Sequence, residues 1–187
     1  NNADVIIICN IDQGSGEIKL VSVFRDTYLS VSDNGLYNKI NQAYFLGGPK
    51  QAVEALNRNL DLQIDDFATF NWKAVVDAVN ILGGVDVELS KAEFYYINAY
   101  ITETVEATGV GSYQLKQAGL NHLDGVQAVA YARLRKMDTD FARTERQREI
   151  IDLCFQKLKK SDFAVVNNVM EAVFPQILSS VTTHDII

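Results

Sequence analysis

The sequence predicts an α/β domain. Runs rich in β-branched residues, such as ADVIIICNID and EIKLVSVFRD, are followed by segments with amphipathic helical patterns. A glycine-rich connection, QGSG, separates the first two runs. With 187 residues and 48% hydrophobic content, the chain is long enough to bury a sizeable core without staples. We therefore expect one domain over residues 1–187.

The elements of the first half follow from these patterns. The first two runs predict a hairpin over residues 3–26, with both strands apolar enough to be central in a sheet. Asn38 is predicted to cap a helix that ends at Gly47 and Gly48, and Pro49 is predicted to open a second helix. The segments QIDDFATFN, WKAVVDAVNILGG and VDVEL then predict a strand, a helix and a strand.

The second half is predicted to be mainly helical. Residues 90–118 contain tyrosines, few charges and a TGVGS turn, so we expect an irregular excursion or an added hairpin there. Asp124 is predicted to cap a helix through GVQAVAYAR, and Asp140 a long helix through FARTERQREIIDLCFQKLKK. A last helix is expected around residues 162–180.

Composition excludes several functions. The net charge of −7 argues against a nucleic-acid-binding protein, because the positive charge is confined to one short segment. Cys9 and Cys154 lie in apolar contexts and are expected to be small core residues. No apolar run approaches the length of a membrane span, and no nucleophile or zinc motif accompanies His122 and His184.

The stretch YARLRKMDTDFARTERQREI, residues 131–150, holds five of the seven arginines. On a helix that begins near Asp140, Arg143, Arg146 and Gln147 share one face close to the N-terminus, where cations are electrostatically misplaced. The arginines of this stretch are Arg133, Arg135, Arg143, Arg146 and Arg148, and Lys136 lies among them. A guanidinium fork matches a phosphate, so a small bound anion would explain the cluster. The alternative is a solvated face paired with nearby acidic residues, which we expect for Arg148.

A second group of charges follows the second strand. Arg25 and Asp26 end the run VSVFRD, and Lys39 lies in NKIN. Asp4 begins the first strand, and in an antiparallel hairpin we expect it beside Arg25. A carboxylate among arginines is either a charge partner or a magnesium ligand.

Together these motifs resemble the LytR-CpsA-Psr proteins of Gram-positive envelopes. The matching pieces are VSVFRD, NKIN with AYFLGGP, ILGGVDVEL, GLNHLDGVQAVAYARLRK and DFARTERQR, in the family's order over essentially the whole chain. The resemblance implies a three-layer α/β/α sandwich with a central mixed sheet and an internal hydrophobic pocket for a lipid tail. It implies Mg²⁺-dependent transfer of wall teichoic acid, capsule or another polymer from a polyprenyl pyrophosphate carrier to peptidoglycan.

The resemblance also implies roles for individual residues. With Arg146 added from the shared helical face, the pyrophosphate-binding set is Arg25, Lys39, Arg133, Arg135, Arg143, Arg146 and Gln147. Catalysis is assigned to Arg25, Asp26, Arg133 and Arg135. Asp4 matches a magnesium ligand, although NADV stands where SDT is usual and FRD replaces the commoner PRD. The family's other magnesium aspartate lies upstream of Asn1. The tail is expected to run along Ile150, Ile151 and Cys154, whose helix has an apolar face.

The implied location is the extracellular face of the plasma membrane of a Gram-positive bacterium, with an N-terminal anchor outside this chain. The implied partners are the lipid-linked polymer donor and the peptidoglycan acceptor, with no nucleic acid. One alternative remains open: a module that binds the carrier lipid, or regulates, without turning the lipid over. Older descriptions of the family as transcriptional attenuators belong to that alternative.

Overall fold

The computed structural model describes residues 2–135 and 139–181. The described strands are, in chain order, Ile6–Ile11 (β1), Ile18–Val23 (β2), Tyr28–Ser30 (β3), Tyr37–Lys39 (β4), Ala68–Phe70 (β5), Val85–Leu89 (β6), Gly119–Leu123 (β7) and Ile177–Ser179 (β8). The described helices are Asn41–Leu60 (α1), Trp72–Ile81 (α2), Lys91–Thr108 (α3), Gly125–Arg133 (α4), Asp140–Lys160 (α5) and Phe163–Val173 (α6). A short 3-10 helix, Phe174–Gln176, precedes β8.

The chain divides into two compact units. The smaller unit contains the described residues up to Thr69 and from Leu178 onward, and the larger unit spans Phe70–Ile177. Each unit buries its own cluster of apolar side chains. The expectation that residues 1–187 act as one domain stays a prediction.

The smaller unit begins with the predicted hairpin. Strands β1 and β2 pair antiparallel, from Ile6 opposite Val23 to Ile11 opposite Ile18, which confirms that prediction. The outer half of the hairpin is exposed, including Cys9. The prediction that Cys9 is a core residue is therefore wrong. In the described part of the chain β1 and β2 pair only with each other, so no neighbouring strand covers this half.

Helix α1 begins later than the sequence indicates. Asn38 lies in β4, which pairs with β3, so the prediction that Asn38 caps the helix is wrong. The helix starts at Asn41, after Ile40 at the cap position. Gly47 and Gly48 leave helical geometry and kink the helix at the predicted break, and the positive φ of Gly48, 70°, is one that glycine adopts without strain. The apolar residues buried in this unit are Val31, Ile40, Ala43, Ala55 and Leu56.

The larger unit contains a long helix where the sequence suggested irregular structure. Helix α3 starts with a reciprocal capping box, in which Ser90 Oγ accepts from the Glu93 N–H and Glu93 Oε2 accepts from the Ser90 N–H. It ends at Gly109, whose φ is 70°. The expectation of an excursion or hairpin is thus wrong for residues 91–108, because apolar positions at helical spacing bury one face of α3 in the core. Residues 109–118, which connect α3 to β7, are irregular as expected.

Helix α4 is capped as predicted. Asp124 Oδ1 accepts from the Gln127 N–H at 2.9 Å, and Gln127 Oε1 accepts from the Asp124 N–H at 2.9 Å. A Cβ atom at Gly125 would lie 2.1 Å from the Val76 carbonyl oxygen of α2. Glycine at this position therefore lets α4 pack closely against α2.

The last two helices differ from expectation at their ends. Helix α5 begins at Asp140 with Thr139 at the N-cap, so Asp140 is not the cap. Asp162 caps α6 by accepting from the Val165 N–H at 2.9 Å. Helix α6 is shorter than the range expected, 162–180, because Pro175 lacks the N–H that would continue it.

The α/β class is confirmed, with a different arrangement of strands. The described strands pair as β1–β2, β3–β4, β5–β8 and β6–β7, so two-stranded sheets stand where one central mixed sheet was expected. Several strands are only three residues long, which limits the ladder that each can form. In the described ranges, no helix has both the length and the apolar character needed to cross a bilayer.

Candidate functional site

Charged residues of the smaller unit meet at the end of β2. Arg25 Nη1 donates to Asp4 Oδ1 at 2.6 Å. The antiparallel hairpin produces this contact, because the start of β1 lies beside the end of β2. The prediction that Asp4 lies close to Arg25 is confirmed.

Asp26 links this ion pair to a second cation. Its Oδ2 lies 3.5 Å from Arg25 Nε, and its Oδ1 lies 2.7 Å from Lys39 Nζ. Two carboxylates and two cations therefore alternate along one chain of contacts, Asp4 to Arg25 to Asp26 to Lys39. Only 17% of the Arg25 side chain is exposed, whereas the Lys39 side chain is largely open to solvent. The carboxylates thus hold a mostly buried guanidinium in a fixed orientation.

Main-chain hydrogen bonds hold the segment after β2 against the start of α1. The Ile40 N–H donates to the Thr27 carbonyl at 2.8 Å, and the Asn41 N–H donates to the Arg25 carbonyl at 3.1 Å. Asn41 is therefore an immediate neighbour of Arg25, although 16 positions separate them in the sequence.

Arg133, at the end of α4, is held by two other helices of the larger unit. Its Nη1 donates to Thr104 Oγ1 at 2.9 Å, and its Nη2 lies 3.7 Å from a carboxylate oxygen of Glu103, both on α3. Its guanidinium also lies 5.8 Å from the centroid of the Trp72 ring. Arg135 follows two residues later and is exposed.

The predicted anion-binding face of α5 is buried in the larger unit. Arg143, Arg146 and Gln147 are each less than a tenth exposed, which agrees with the shared face expected from their spacing. Gln147 Nε2 donates to the Ala132 carbonyl at 3.4 Å, a long contact with the end of α4. The assignment of the three side chains to pyrophosphate stays a prediction.

Arg146 has well-defined protein partners. Its Nε donates to Glu93 Oε1 at 2.8 Å and its Nη1 to the Leu134 carbonyl at 3.2 Å. Burial alone would raise the pKa of Glu93, but hydrogen bonds from Arg146 and Ser90 outweigh burial, and the pKa lies below its ordinary value. Beside this pair, burial and the hydrogen bond to Glu149 raise the pKa of Tyr131.

Arg148 is exposed on the opposite side of α5, as predicted for a surface residue. Lys136 and Asp138 of the same stretch, and His184, lie outside the described residues.

The three residues expected to line a lipid tail differ in burial. Ile150 is 4% exposed and lies in the core cluster of the larger unit, whereas Ile151 and Cys154 are half-buried. Burial raises the pKa of the Cys154 thiol. Their role in binding a lipid stays a prediction.

The residues present would supply only part of the ligand set of a magnesium ion. In the part of the chain that the structure describes, no group of three or more His, Cys, Asp or Glu side chains is placed to hold a metal. Asp4 is half-exposed and uses Oδ1 for Arg25. Magnesium bound to phosphates needs one or two carboxylates and keeps several waters, so Asp4 is compatible with that role.

Several residues of these clusters were missed from the sequence. Glu93, Glu103 and Thr104 belong to α3, the helix that was not predicted. Trp72 was not singled out, and Asn41 is the last residue of NKIN, a motif in which only Lys39 was given a role. The pattern Ser90-x-x-Glu93 is a capping-box signature that would have indicated the start of α3. Nothing in the sequence pairs Glu93 with Arg146, 53 positions away.

The chain matches the LytR_cpsA_psr family over residues 1–187. It is 29% identical over 174 residues to the Bacillus subtilis polyisoprenyl-teichoic acid--peptidoglycan teichoic acid transferase TagV, covering 90% of this chain and 42% of the relative. It is 30% identical over its full length to an uncharacterised Staphylococcus aureus protein, of which it covers 44%. The chain thus spans about half the length of such relatives.

Solved structures agree with the family match. A Streptococcus agalactiae protein superposes with a TM-score of 0.83 at 27% identity, covering 99% of this chain and 63% of that one. A structure of TagT bound to LI-WTA gives a TM-score of 0.74 at 25% identity, covering 99% of this chain and 66% of that one.

Proposed function

The chain belongs to the LytR_cpsA_psr family, and on that basis we propose that it transfers a glycopolymer from a polyprenyl pyrophosphate carrier to peptidoglycan. Relatives named as teichoic acid transferases support this proposal and make wall teichoic acid the first polymer to test. A capsule or another secondary polymer would use the same chemistry. The reaction would take place on the extracellular face of a Gram-positive plasma membrane, close to both the carrier lipid and peptidoglycan.

The observation that carries the proposal is the linked set of charges at the end of β2. Asp4 and Asp26 fix the orientation of Arg25, and Asp26 also holds Lys39. Cations held in advance lose little freedom when an anion binds, so they stabilise charge as it develops during a reaction. A guanidinium fork can contact two phosphate oxygens at once.

The proposed reaction exchanges one phosphorus–oxygen bond for another. A sugar hydroxyl of peptidoglycan attacks the phosphorus that carries the polymer, and a bond forms between that phosphorus and the hydroxyl oxygen. The bond to the bridging oxygen breaks, and its electron pair leaves with polyprenyl phosphate. Arg25 and Lys39 would stabilise the charge that grows on the leaving group.

The hydroxyl proton must pass to a base. Asp4 and Asp26 are the candidate carboxylates, and either could accept it through water. Asp26 is engaged by Arg25 and Lys39 on its two oxygens, which supports a role in orienting these cations rather than in taking the proton.

Residues of the larger unit are also proposed to bind phosphate. Arg133, Arg135, Arg143 and Gln147 are the residues that we assign to this role. Arg146 is assigned with them, although Glu93 and the Leu134 carbonyl already engage two of its nitrogens. Its main contribution would then be to fix the position of α5.

We further propose that Asp4 contributes to a magnesium site. When bound, Mg²⁺ would neutralise part of the negative charge of the pyrophosphate. Asp4 would hold the ion through its carboxylate, while Arg25 keeps that carboxylate in place.

A reconstituted transfer assay tests the function. The full-length protein is mixed with a synthetic lipid-pyrophosphate-linked saccharide and peptidoglycan oligomers, and release of polyprenyl phosphate is measured. We expect release coupled to attachment, and a rate about a hundredfold lower for Arg25→Ala, the scale for removing a donor to a developing charge. Arg148→Ala is the matched control and should retain the wild-type rate. Donor binding without release would instead identify a module that only holds the carrier lipid.

A further inference from the structure

Asn41, the first residue of α1, buries a polar atom that the protein does not satisfy. Its side chain belongs to a residue only 5% exposed, yet Oδ1 has no hydrogen-bond partner among the described residues. The neighbouring Arg25 has a buried Nε atom that likewise makes no hydrogen bond, although it lies 3.5 Å from Asp26 Oδ2. A buried hydrogen-bond acceptor and a buried hydrogen-bond donor thus occur on two residues that are neighbours in space.

The main chain fixes this adjacency. The Asn41 N–H donates to the Arg25 carbonyl at 3.1 Å, and the preceding residue, Ile40, donates to the Thr27 carbonyl at 2.8 Å. The contact is therefore built from main-chain hydrogen bonds and does not depend on a flexible side chain.

Two other asparagines of the chain, both half-buried, have their side-chain amides satisfied by the main chain. Asn57, also on α1, donates to the Ile64 carbonyl at 3.1 Å and accepts from the Ile64 N–H at 2.8 Å. Asn98 makes the same two-way contact with Leu115. Because a buried polar atom without a partner destabilises a fold, the exception at Asn41 requires an explanation.

The chemistry of the orphaned atom selects its partner. An amide oxygen accepts hydrogen bonds and cannot donate one. Ionised phosphate oxygens of the lipid-linked polymer have no proton to donate, whereas a saccharide hydroxyl has one. A hydroxyl can also accept a hydrogen bond, as the neighbouring Arg25 Nε requires.

We propose that Asn41 Oδ1 accepts a hydrogen bond from the saccharide hydroxyl that attacks the phosphorus. The proposal rests on the proposed function and adds to it a contact that positions the peptidoglycan substrate. Asn41 does not take the proton, because an amide is not a base at neutral pH. It holds the hydroxyl beside Arg25, the residue assigned to the phosphate, with an oxygen lone pair directed to the phosphorus. As the new phosphorus–oxygen bond forms, the proton leaves the amide oxygen for water, which carries it to Asp4 or Asp26.

The test uses Asn41→Leu in the full-length protein, because leucine has a similar size and no polar atom. We expect a Tm equal to or above that of the wild type, since the substitution removes an unsatisfied buried group. We expect the affinity for the lipid-linked polymer to stay within about twofold of wild type. The kcat/KM for peptidoglycan should be about tenfold lower, the scale of one lost hydrogen bond to substrate. The matched control is Asn57→Leu on the same helix, which breaks two hydrogen bonds and should lower Tm without a selective effect on the acceptor.

Three results would overturn the contact alone. The first is a wild-type kcat/KM for peptidoglycan in Asn41→Leu. The second is a fall in the Tm of Asn41→Leu as large as that of Asn57→Leu. The third is a loss confined to binding of the lipid-linked polymer. The last result would place a donor phosphate or a donor sugar at Asn41. Absence of transfer by the wild-type protein would instead overturn the proposed function together with this contact.

Discussion

Arg146 and Glu93 form an ion pair inside the larger unit, with Arg146 Nε 2.8 Å from Glu93 Oε1 and side chains only 6% and 12% exposed. The pair joins α5 to the first turn of α3. Arg143 and Gln147, two of the predicted anion-binding residues, flank Arg146 on the same buried face of α5. The ion pair therefore fixes the face on which those residues lie.

The first prediction concerns pH and stability. The pKa of Glu93 in the folded protein lies below its ordinary value of 4.5, so the carboxylate stabilises the fold at pH values above 4.5. This contribution is lost as the pH falls from 4.5 through the folded pKa. Thermal unfolding measured from pH 7 to pH 3 should show a smaller loss of Tm for Glu93→Gln than for wild type, from a lower starting value. Glu103→Gln, at a more exposed carboxylate of the same helix, is the comparison variant. A wild-type profile in Glu93→Gln would contradict the prediction.

The second prediction concerns the arginines at the end of α4. Arg133→Ala and Arg135→Ala should each weaken binding of a soluble pyrophosphate analogue by about 1.5–3 kcal/mol, the scale of a charge-assisted hydrogen bond. Arg148→Ala, on the exposed face of α5, should change binding little. Calorimetry provides the measurement. Equal losses from all three variants would indicate diffuse electrostatics instead of a defined set of contacts.

The third prediction concerns magnesium. Asp4→Asn removes a charged ligand but keeps a similar shape, so the rate of polymer transfer should require a higher Mg²⁺ concentration to reach its maximum. The measurement is a magnesium titration of the transfer rate. Glu17→Gln, an exposed carboxylate on the same hairpin, is the control. An unchanged titration for Asp4→Asn would remove Asp4 from the metal site.

The fourth prediction concerns the lipid tail. Cys154 is half-buried with a raised thiol pKa, whereas Cys9 is exposed, so the two thiols provide an internal comparison. A long polyprenyl phosphate should slow alkylation of Cys154 and leave Cys9 unaffected, as measured by mass spectrometry at pH 8. A ten-carbon analogue should protect Cys154 less. If neither lipid slows modification of Cys154, the tail does not pass along this part of α5.

The fifth prediction concerns packing of α4 against α2. A methyl group at Gly125 would meet the Val76 carbonyl oxygen at 2.1 Å, so Gly125→Ala should lower the free energy of unfolding by about 1–3 kcal/mol, the usual cost of overpacking. Gly111→Ala, where no atom lies within 4 Å of the added carbon, should have little effect. Denaturant unfolding measures both. Equal stabilities would show that α4 can shift away from α2 without cost.

Much of the local structure could be predicted from the sequence. The β-branched runs and the QGSG turn indicate the β1–β2 hairpin, and its antiparallel pairing already places Asp4 beside Arg25. Asp124, at the start of α4, is recognisable as a cap because its partner Gln127 lies only three positions away. The spacing of Arg143, Arg146 and Gln147 likewise predicts their common face.

Other features were decided only by the tertiary structure. The tyrosines of residues 90–118 led to a prediction of irregular structure where α3 forms. The stability of α3 comes from burying one face in the core. The partner of Arg146 is Glu93, and the neighbour of Arg25 is Asn41, which no local pattern indicates. Cys9 is exposed because no described strand covers the outer half of its hairpin. The shared face of Arg143, Arg146 and Gln147 and the Asp124 cap depend on residues within one or two turns of each other, so the sequence alone determined them. Burial and ion pairing depend on residues brought together from distant positions, so only the folded chain determined those.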